Sequence, residues 1–172
     1  MRYTKKYLIW SIIVSVFALA INVFIIVHSC LDASASSGSS KGIVDFLKDI
    51  INTFANNAIN ETNYDSFTNF IRKAVGHFGL FFISGILTSL AIYLWCNAIK
   101  GSKYWMLISI TLEFGLLMGL ITETIQLNVP GRSGELLDVL IDFSGYLLGF
   151  LIIFLILFLI VRRQNKRAPI TK

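Results

Sequence analysis

Charged residues, cysteine and proline are all scarce in this chain of 172 residues. Only 15% of the residues are Asp, Glu, Lys or Arg, and there are two cysteines and two prolines, whereas 55% are hydrophobic and the mean hydropathy is +0.72. Soluble domains carry about 25% charged residues, so this composition argues against a soluble or disordered chain. Two cysteines are too few for a disulfide-rich secreted scaffold.

Four long apolar stretches account for the excess of hydrophobic residues. A helix needs about 20 mostly apolar residues to cross a bilayer core about 30 Å thick, and residues 8–27, 74–98, 104–127 and 139–161 each meet this requirement. We therefore predict an all-α membrane protein of a single domain, residues 1–172, with four transmembrane helices. The first stretch is long enough to span, so we expect a retained helix rather than a cleaved signal peptide.

The basic residues outside these spans predict the orientation of the chain. Three segments contain ten basic residues and no acidic ones: Arg2, Lys5, Lys6, Lys100, Lys103, Arg162, Arg163, Lys166, Arg167 and Lys172. Because Lys and Arg are enriched in cytoplasmic loops, both termini are predicted to be cytoplasmic. Cys30 and Cys96 then lie on opposite sides of the membrane, so we expect no disulfide between them. The net charge of +5 reflects this orientation, and we expect no nucleic-acid partner.

The segment between the first and second spans, residues 28–73, is predicted to lie outside the cytoplasm. Residues 32–42 are rich in Ser, Ala and Gly, which is typical of a flexible connector. From Ile43 to Ala58, apolar residues recur at helical spacing, which predicts an amphipathic helix on the outer surface. Asp65 or Ser66 is predicted to cap the helix that continues into the second span.

Two pairs of glycines four residues apart predict how the last two spans pack. Gly115 and Gly119 lie in the third span, and Gly145 and Gly149 lie in the fourth. Such pairs let the backbones of two membrane helices approach closely, so we expect the third and fourth spans to pack against each other. Glu113, nearer the middle of the third span, is expected to pair with a Tyr or Ser of a neighbouring helix.

Polar and ionisable residues gather at the predicted outer ends of the second, third and fourth spans. An ionisable group within a membrane costs free energy unless it has partners, so such a cluster is by default a hypothesis of function. The alternative is a structural role, in which Arg132 and Asp138 pair and shape the loop before the fourth span. The residues concerned are Lys73, His77, Glu123, Gln126, Arg132, Asp138 and Asp142.

Four of these residues are candidates for ligand binding. Lys73 and Arg132 can donate hydrogen bonds to a phosphate or carboxylate at the membrane surface, and Gln126 and Asp142 complete the predicted ligand-binding set. The sequence has no serine or cysteine in a recognisable nucleophile motif and no glycine-rich loop that would cradle phosphates.

The other three residues are candidates for acid–base catalysis. His77 is the predicted base, Glu123 its orienting partner, and Asp138 the third member of the set. No closely spaced metal-ligand motif is present, so no metal site is assigned. A divalent cation held by His77 with Glu123, Asp138 or Asp142 remains an open alternative, because imidazole and carboxylate both suit such ions.

Three separated motifs resemble the VanZ-like family. They are RKAVGHF at residues 72–78, TETIQLNVPGRS at residues 122–133 and DVLIDFSGYLLG at residues 138–149, and the resemblance extends from the Ser-rich connector to Gly149. The chain departs from the family pattern at Thr122, where an acidic residue is common, and at Asp142, which is usually Asn. The family commonly has an acidic residue and an aromatic residue after the His-Phe pair. This chain lacks them and has Gly79 and Leu80 nearby instead.

The resemblance implies a multi-pass protein of a bacterial plasma membrane that contributes to resistance to teicoplanin and related glycopeptide antibiotics. The implied partners are membrane lipids, with a lipid-linked wall precursor or a lipoglycopeptide as a further candidate, and the cofactor is unknown. Two classes of function stay open. One is a protein that binds or shields its outer-leaflet target, and the other is a membrane-embedded enzyme that modifies a lipid or wall precursor.

Overall fold

A computed structural model describes residues 2–99 and 104–167 of the chain. Within these residues every regular element is helical, which confirms the all-α prediction. The elements are α1 (Arg2–Ser29), α2 (Ala33–Phe54), α3 (Tyr64–Ile71), a π-helical segment (Arg72–Gly79), α4 (Leu80–Ala98), α5 (Tyr104–Gln126) and α6 (Leu136–Arg167).

Four helical runs in the described part of the chain are long and apolar enough to cross a membrane, as predicted. They are Lys5–Ser29, Tyr64–Ala98, Ile108–Gln126 and Leu136–Ile160. Large apolar side chains on all of them face outward; Val16, Leu117 and Leu155, for example, are exposed. A surface of this kind is favourable in contact with lipid tails rather than with water.

The Ser-rich stretch after α1 is helical, so the prediction of a flexible connector is wrong. The Asp32 carboxylate accepts a hydrogen bond from the backbone N–H of Ala35 at 2.8 Å, which caps the helix and holds the pKa of Asp32 below its ordinary value. α2 therefore begins at Ala33 and runs on through the stretch where the amphipathic helix was predicted. The position of α2 outside the cytoplasm stays a prediction.

Side chains of α2 fix the start of the next helix. The hydroxyl of Tyr64 donates to Asp45 at 2.8 Å, and the ammonium of Lys48 lies 5.3 Å from the centre of the Tyr64 ring, a favourable cation–π arrangement. α3 begins at Tyr64 with Asn63 at the N-cap position, so neither Asp65 nor Ser66 caps it as predicted. α3, the π-helical segment and α4 then form one continuous helical run.

The two glycine pairs face different partners, which corrects part of the packing prediction. A methyl group at Gly145 would overlap the backbone carbonyl of Phe78, and one at Gly149 would overlap that of Phe82. The glycine face of α6 therefore packs on the second spanning run rather than on α5. The glycines of α5 do face α6, where Gly115 meets the ring of Tyr146.

α1 packs along α4 through buried hydrogen bonds. The Asn22 amide donates to the Thr88 hydroxyl at 3.4 Å and accepts from the Ser84 hydroxyl at 2.8 Å. Nearer the other end of both helices, the Trp95 indole donates to the Ser15 hydroxyl at 2.9 Å. Hydrogen bonds between membrane helices contribute about 0.6 kcal/mol each on average. The main effect of the three bonds is therefore to set the alignment of α1 along α4, and their contribution to stability is small.

The predicted orientation can be tested with single cysteines at exposed positions. Ser133 lies in the loop between α5 and α6, and Arg163 lies near the end of α6, so the two sit at opposite ends of the bundle. In a background with Cys30 and Cys96 replaced by serine, we expect a membrane-impermeant maleimide to label Ser133→Cys in intact cells. Arg163→Cys should react only after the cells are permeabilised. Labelling of Arg163→Cys in intact cells would overturn the orientation.

Candidate functional site

The π-helical segment places two of the predicted site residues toward α6. A π-helix has i→i+5 hydrogen bonds and is rare, often occurring at functional sites. Gly76 and Gly79 both lie in the segment, and glycine favours the α-helix about 1 kcal/mol less than alanine does. Lys73 and His77 project from this segment, which packs on α6.

Five predicted site residues come together in one buried cluster at this end of the bundle. Their exposed fractions are 7% for His77, 4% for Glu123, 4% for Gln126, 3% for Asp138 and 0% for Asp142. They come from three different spanning runs, and their burial means that the chain itself, rather than water, must supply most of their polar partners. We call these five residues the polar cluster.

His77 lies between the three carboxylates of the polar cluster. Its Nδ1 atom is 3.0 Å from Oδ1 of Asp142 and 3.7 Å from Oε1 of Glu123. Its Nε2 atom is 4.0 Å from Oδ2 of Asp138. The nearest carboxylate is therefore Asp142, which was predicted to bind ligand, and not Glu123, which was predicted to orient the imidazole.

Lys73 is the direct cationic partner of Asp138. The ammonium lies 2.5 Å from Oδ1 of Asp138 and 3.2 Å from Oε2 of Glu135. Asp138 is in the first turn of α6, where the helix dipole also favours a negative charge. Both acidic partners of Lys73 belong to the chain, and the role of Lys73 in ligand binding stays a prediction.

Glu123 is fixed by the loop that joins α5 to α6. Its Oε1 accepts a hydrogen bond from the Gln126 amide at 3.0 Å, and its Oε2 accepts from the backbone N–H of Glu135 at 3.0 Å. The loop approaches closely at Gly134, where a methyl group would overlap the Glu123 carbonyl. This carboxylate therefore has a defined orientation with one oxygen turned toward His77.

Arg132 lies beside the polar cluster and makes its hydrogen bonds elsewhere. Its Nη1 atom donates to the carbonyls of His28 at 3.2 Å and Leu31 at 3.4 Å, at the end of α1. The alternative in which Arg132 pairs with Asp138 is therefore wrong, because Lys73 takes that place. Burial lowers the pKa of Arg132, as does the nearby charge of Arg72, but a guanidinium stays protonated at neutral pH.

A small cavity of about 20 Å³ connects Arg132 to the polar cluster. It is lined in part by Arg72, His77, Arg132 and Asp142, and the Nε atom of Arg72 is buried without a hydrogen-bond partner. A space of roughly 10–15 Å³ suffices for one water molecule. The cavity is therefore large enough for one oxygen-sized group, and Arg72, Arg132 and His77 are among the residues that line it.

Arg72 and His28 were not predicted as site residues, although both line this cavity. The one sequence signal for Arg72 was its place in the RKAVGHF motif, because a basic residue at the edge of a span ordinarily extends to the membrane surface. His28 falls in the last turn of α1. His28 lies at the same end of the bundle as His77. This common depth in the membrane was the one feature that could have identified His28 as a site residue.

The sequence model of the VanZ/LLP1 family matches residues 11–159. The chain belongs to the VanZ/LLP1 family. The match includes every helix that carries a site residue and confirms the resemblance found in the three motifs. No curated protein matches the chain, and no solved structure does.

This VanZ/LLP1 family protein thus presents two adjoining polar regions with different chemical capacities. The guanidinium groups of Arg72 and Arg132 form a cationic rim that suits phosphate or carboxylate oxygens. The polar cluster supplies an imidazole in contact with carboxylates, an arrangement that suits proton transfer or cation binding. The cavity joins the two regions.

Proposed function

We propose that this protein acts at the outer leaflet of a bacterial plasma membrane. There its cationic rim binds the anionic group of a lipid or lipid-linked wall component. By occupying or shielding that component, it contributes to resistance against glycopeptide and lipoglycopeptide antibiotics. Membership of the VanZ/LLP1 family and four membrane-spanning helices support the membrane setting.

The observation that carries this proposal is the cavity between Arg72 and Arg132. Arg72 Nε is a buried donor without a partner, and such a donor costs about 1–3 kcal/mol when it stays unpaired. An anionic oxygen in the cavity would accept from that donor and lie near the second guanidinium. Phosphates of lipid-linked wall precursors and of phospholipids offer oxygens of this kind.

The proposal predicts loss of resistance when the cationic rim is neutralised. In a susceptible bacterial host expressing the chain, we expect Arg72→Gln or Arg132→Gln to lower the minimum inhibitory concentration of teicoplanin to that of cells without the protein. The physical reason is the loss of charge-assisted hydrogen bonds to the anionic group, each worth about 1.5–3 kcal/mol.

Arg163→Gln is the matched control, because Arg163 is exposed at the other end of the bundle. It should leave the inhibitory concentration unchanged, and immunoblots of membranes should show equal protein for all variants. If both rim variants retain full resistance at normal membrane levels, the anion-binding proposal fails. Loss of protein from the membrane would instead assign the arginines a structural role.

A second candidate is an enzyme that modifies an outer-leaflet lipid or wall precursor. The contact between His77 and Asp142 favours it, because a carboxylate beside an imidazole orients the ring and stabilises its protonated form. Mass spectrometry of lipids and wall precursors from cells with the wild type and with His77→Gln distinguishes this candidate from binding alone. An identical lipid and precursor profile alongside retained resistance in the wild type would exclude the enzyme.

A further inference from the structure

One imidazole and two carboxylates of the polar cluster are arranged as ligands around a common point. His77, Glu123 and Asp142 each offer one ligand atom, and these atoms lie within 4.8 Å of one another. We propose that these three residues bind one divalent transition-metal cation, of the Mn²⁺ or Zn²⁺ type. This inference concerns the cation alone and does not depend on the anionic ligand proposed above.

The distances fit a metal site without rearrangement of the helices. Ligands about 2.1 Å from a tetrahedral ion lie about 3.4 Å from each other. From Nδ1 of His77 the distances are 3.0 Å to Asp142 Oδ1 and 3.7 Å to Glu123 Oε1. Small side-chain movements are therefore enough to bring all three atoms to an ion.

The charge of the buried cluster favours a cation at this point. Glu123, Asp138 and Asp142 are all buried, and among the described residues Lys73 is the one lysine or arginine that forms an ion pair with any of them. A divalent cation bound by a neutral His77 would balance the three carboxylates together with Lys73. Without it, Lys73 and a protonated His77 are the cations within ion-pair distance of the three buried carboxylates, and the guanidinium groups of Arg72 and Arg132 act on them from across the cavity at longer range.

An unpartnered oxygen points independently to a ligand at this place. Oδ2 of Asp142 is buried and has no hydrogen-bond partner, and Asp142 as a whole is 0% exposed. The hydroxyl of Thr122, which also lies near Asp142, is at hydrogen-bond distance from the carbonyls of Met118 and Gly119. Buried carboxylate oxygens are paired or coordinate metals, so bidentate coordination by Asp142, through Oδ1 and Oδ2 together, would satisfy this atom.

The surroundings already provide the supporting contacts that metal sites need. The hydrogen bonds from Gln126 and from the Glu135 N–H fix the Glu123 carboxylate. When Nδ1 of His77 binds an ion, Nε2 carries the proton, and Oδ2 of Asp138 lies 4.0 Å from it, so a side-chain movement of about 1 Å would complete this hydrogen bond. Metal-binding histidines usually direct their second nitrogen to a carboxylate in this way. The adjoining cavity leaves room for one water or one ligand oxygen.

The mixed ligand set selects the type of metal. Ca²⁺ binds 6–8 oxygen ligands and Mg²⁺ keeps several bound waters, so neither ion favours the imidazole nitrogen as a ligand. Zn²⁺ binds both imidazole and carboxylate, and Mn²⁺ favours carboxylates and water. The proposal therefore excludes a site that prefers Ca²⁺ or Mg²⁺ over these two ions.

Metal binding by the purified full-length chain tests the inference. The protein should carry a Strep tag rather than a histidine tag and be stripped with EDTA in detergent. On titration with Zn²⁺ or Mn²⁺, we expect one ion per chain by plasma mass spectrometry. Asp142→Asn and Glu123→Gln should each weaken binding at least tenfold by calorimetry. Glu113→Gln is the matched control, because Glu113 lies on the same helix as Glu123 but is exposed, and it should bind as the wild type does.

Each outcome decides the question. The inference is overturned if the wild type binds less than one tenth of an ion per chain. It is also overturned if the wild type and both ligand variants bind equally, because the ion is then an adventitious ion only. If the ligand variants fail to fold, X-ray absorption of the zinc-loaded wild type decides. One nitrogen ligand with oxygens supports the site, and oxygen ligands alone contradict it.

Discussion

Replacing Gly149 with alanine is expected to destabilise the bundle by about 3 kcal/mol or more. A methyl group there would overlap the Phe82 carbonyl and the backbone at Gly85 and Ile86. Backbone atoms cannot move aside as a flexible side chain can, so α6 and α4 must separate. Overpacking of a well-packed interior typically costs about 1–3 kcal/mol, and here the cost includes lost contact along the helix pair. Thermal unfolding in detergent, followed by circular dichroism, measures the loss.

Gly119→Ala is the matched control for this prediction. Gly119 is also the second glycine of a pair four residues apart, but a methyl group there would lie 3.5 Å from its nearest neighbours, an ordinary van der Waals distance. Gly119→Ala should therefore unfold at nearly the wild-type temperature. Equal destabilisation by both substitutions would contradict the prediction, because the backbone overlap specific to Gly149 would then not determine the cost.

The glycine motifs illustrate which packing information the sequence carries. A pair of small residues indicates that some backbone will approach closely, and both pairs do meet a neighbour in the structure. The identity of the neighbour depends on how α6 is rotated between α4 and α5. That rotation is set by contacts along the entire helix, including Tyr146, which is fully buried and meets both Gly85 and Gly115.

The four spans were predictable because their signal is local, whereas their ends were not. Hydropathy over about 20 residues is enough to identify a membrane helix. The second spanning run begins at Tyr64 rather than at residue 74 because its polar first turns are held by tertiary contacts. Tyr64 bonds to Asp45, and Lys73 bonds to Asp138. The predicted pairing of Glu113 with a Tyr or Ser of a neighbouring helix is wrong. Glu113 is exposed, and no partner for it lies within residues 2–99 and 104–167.

The composition of the candidate site was predictable, but the pairing within it was not. His77, Glu123, Asp138 and Asp142 were predicted to lie together because they have similar depths along their spans and lie on the inward faces of their helices. Which carboxylate meets which nitrogen depends on the π-helical segment, whose i→i+5 hydrogen bonds change the direction of His77 relative to an α-helix. No simple sequence signal indicates such a segment.

The ion pair of Lys73 with Asp138 is expected to have the second large effect on stability. Lys73→Ala leaves the Asp138 carboxylate buried without its cation, and breaking a buried pair in this way costs about 3–5 kcal/mol. The Lys73 side chain is 28% exposed, so water screens part of the interaction and we expect the lower end of that range. The measurement is the same thermal unfolding in detergent.

A double-mutant cycle separates the ion pair from simple loss of packing. Asp138→Asn removes the charge but keeps the shape, so Lys73→Ala combined with Asp138→Asn should recover at least 1 kcal/mol relative to the sum of the single changes. Lys41→Ala, at an exposed position on α2, controls for the general effect of losing a lysine. Strict additivity of Lys73→Ala and Asp138→Asn would mean that the carboxylate is neutral or solvated in the folded protein. The charge balance that favours a divalent cation beside His77 would then lose one of its three negative charges.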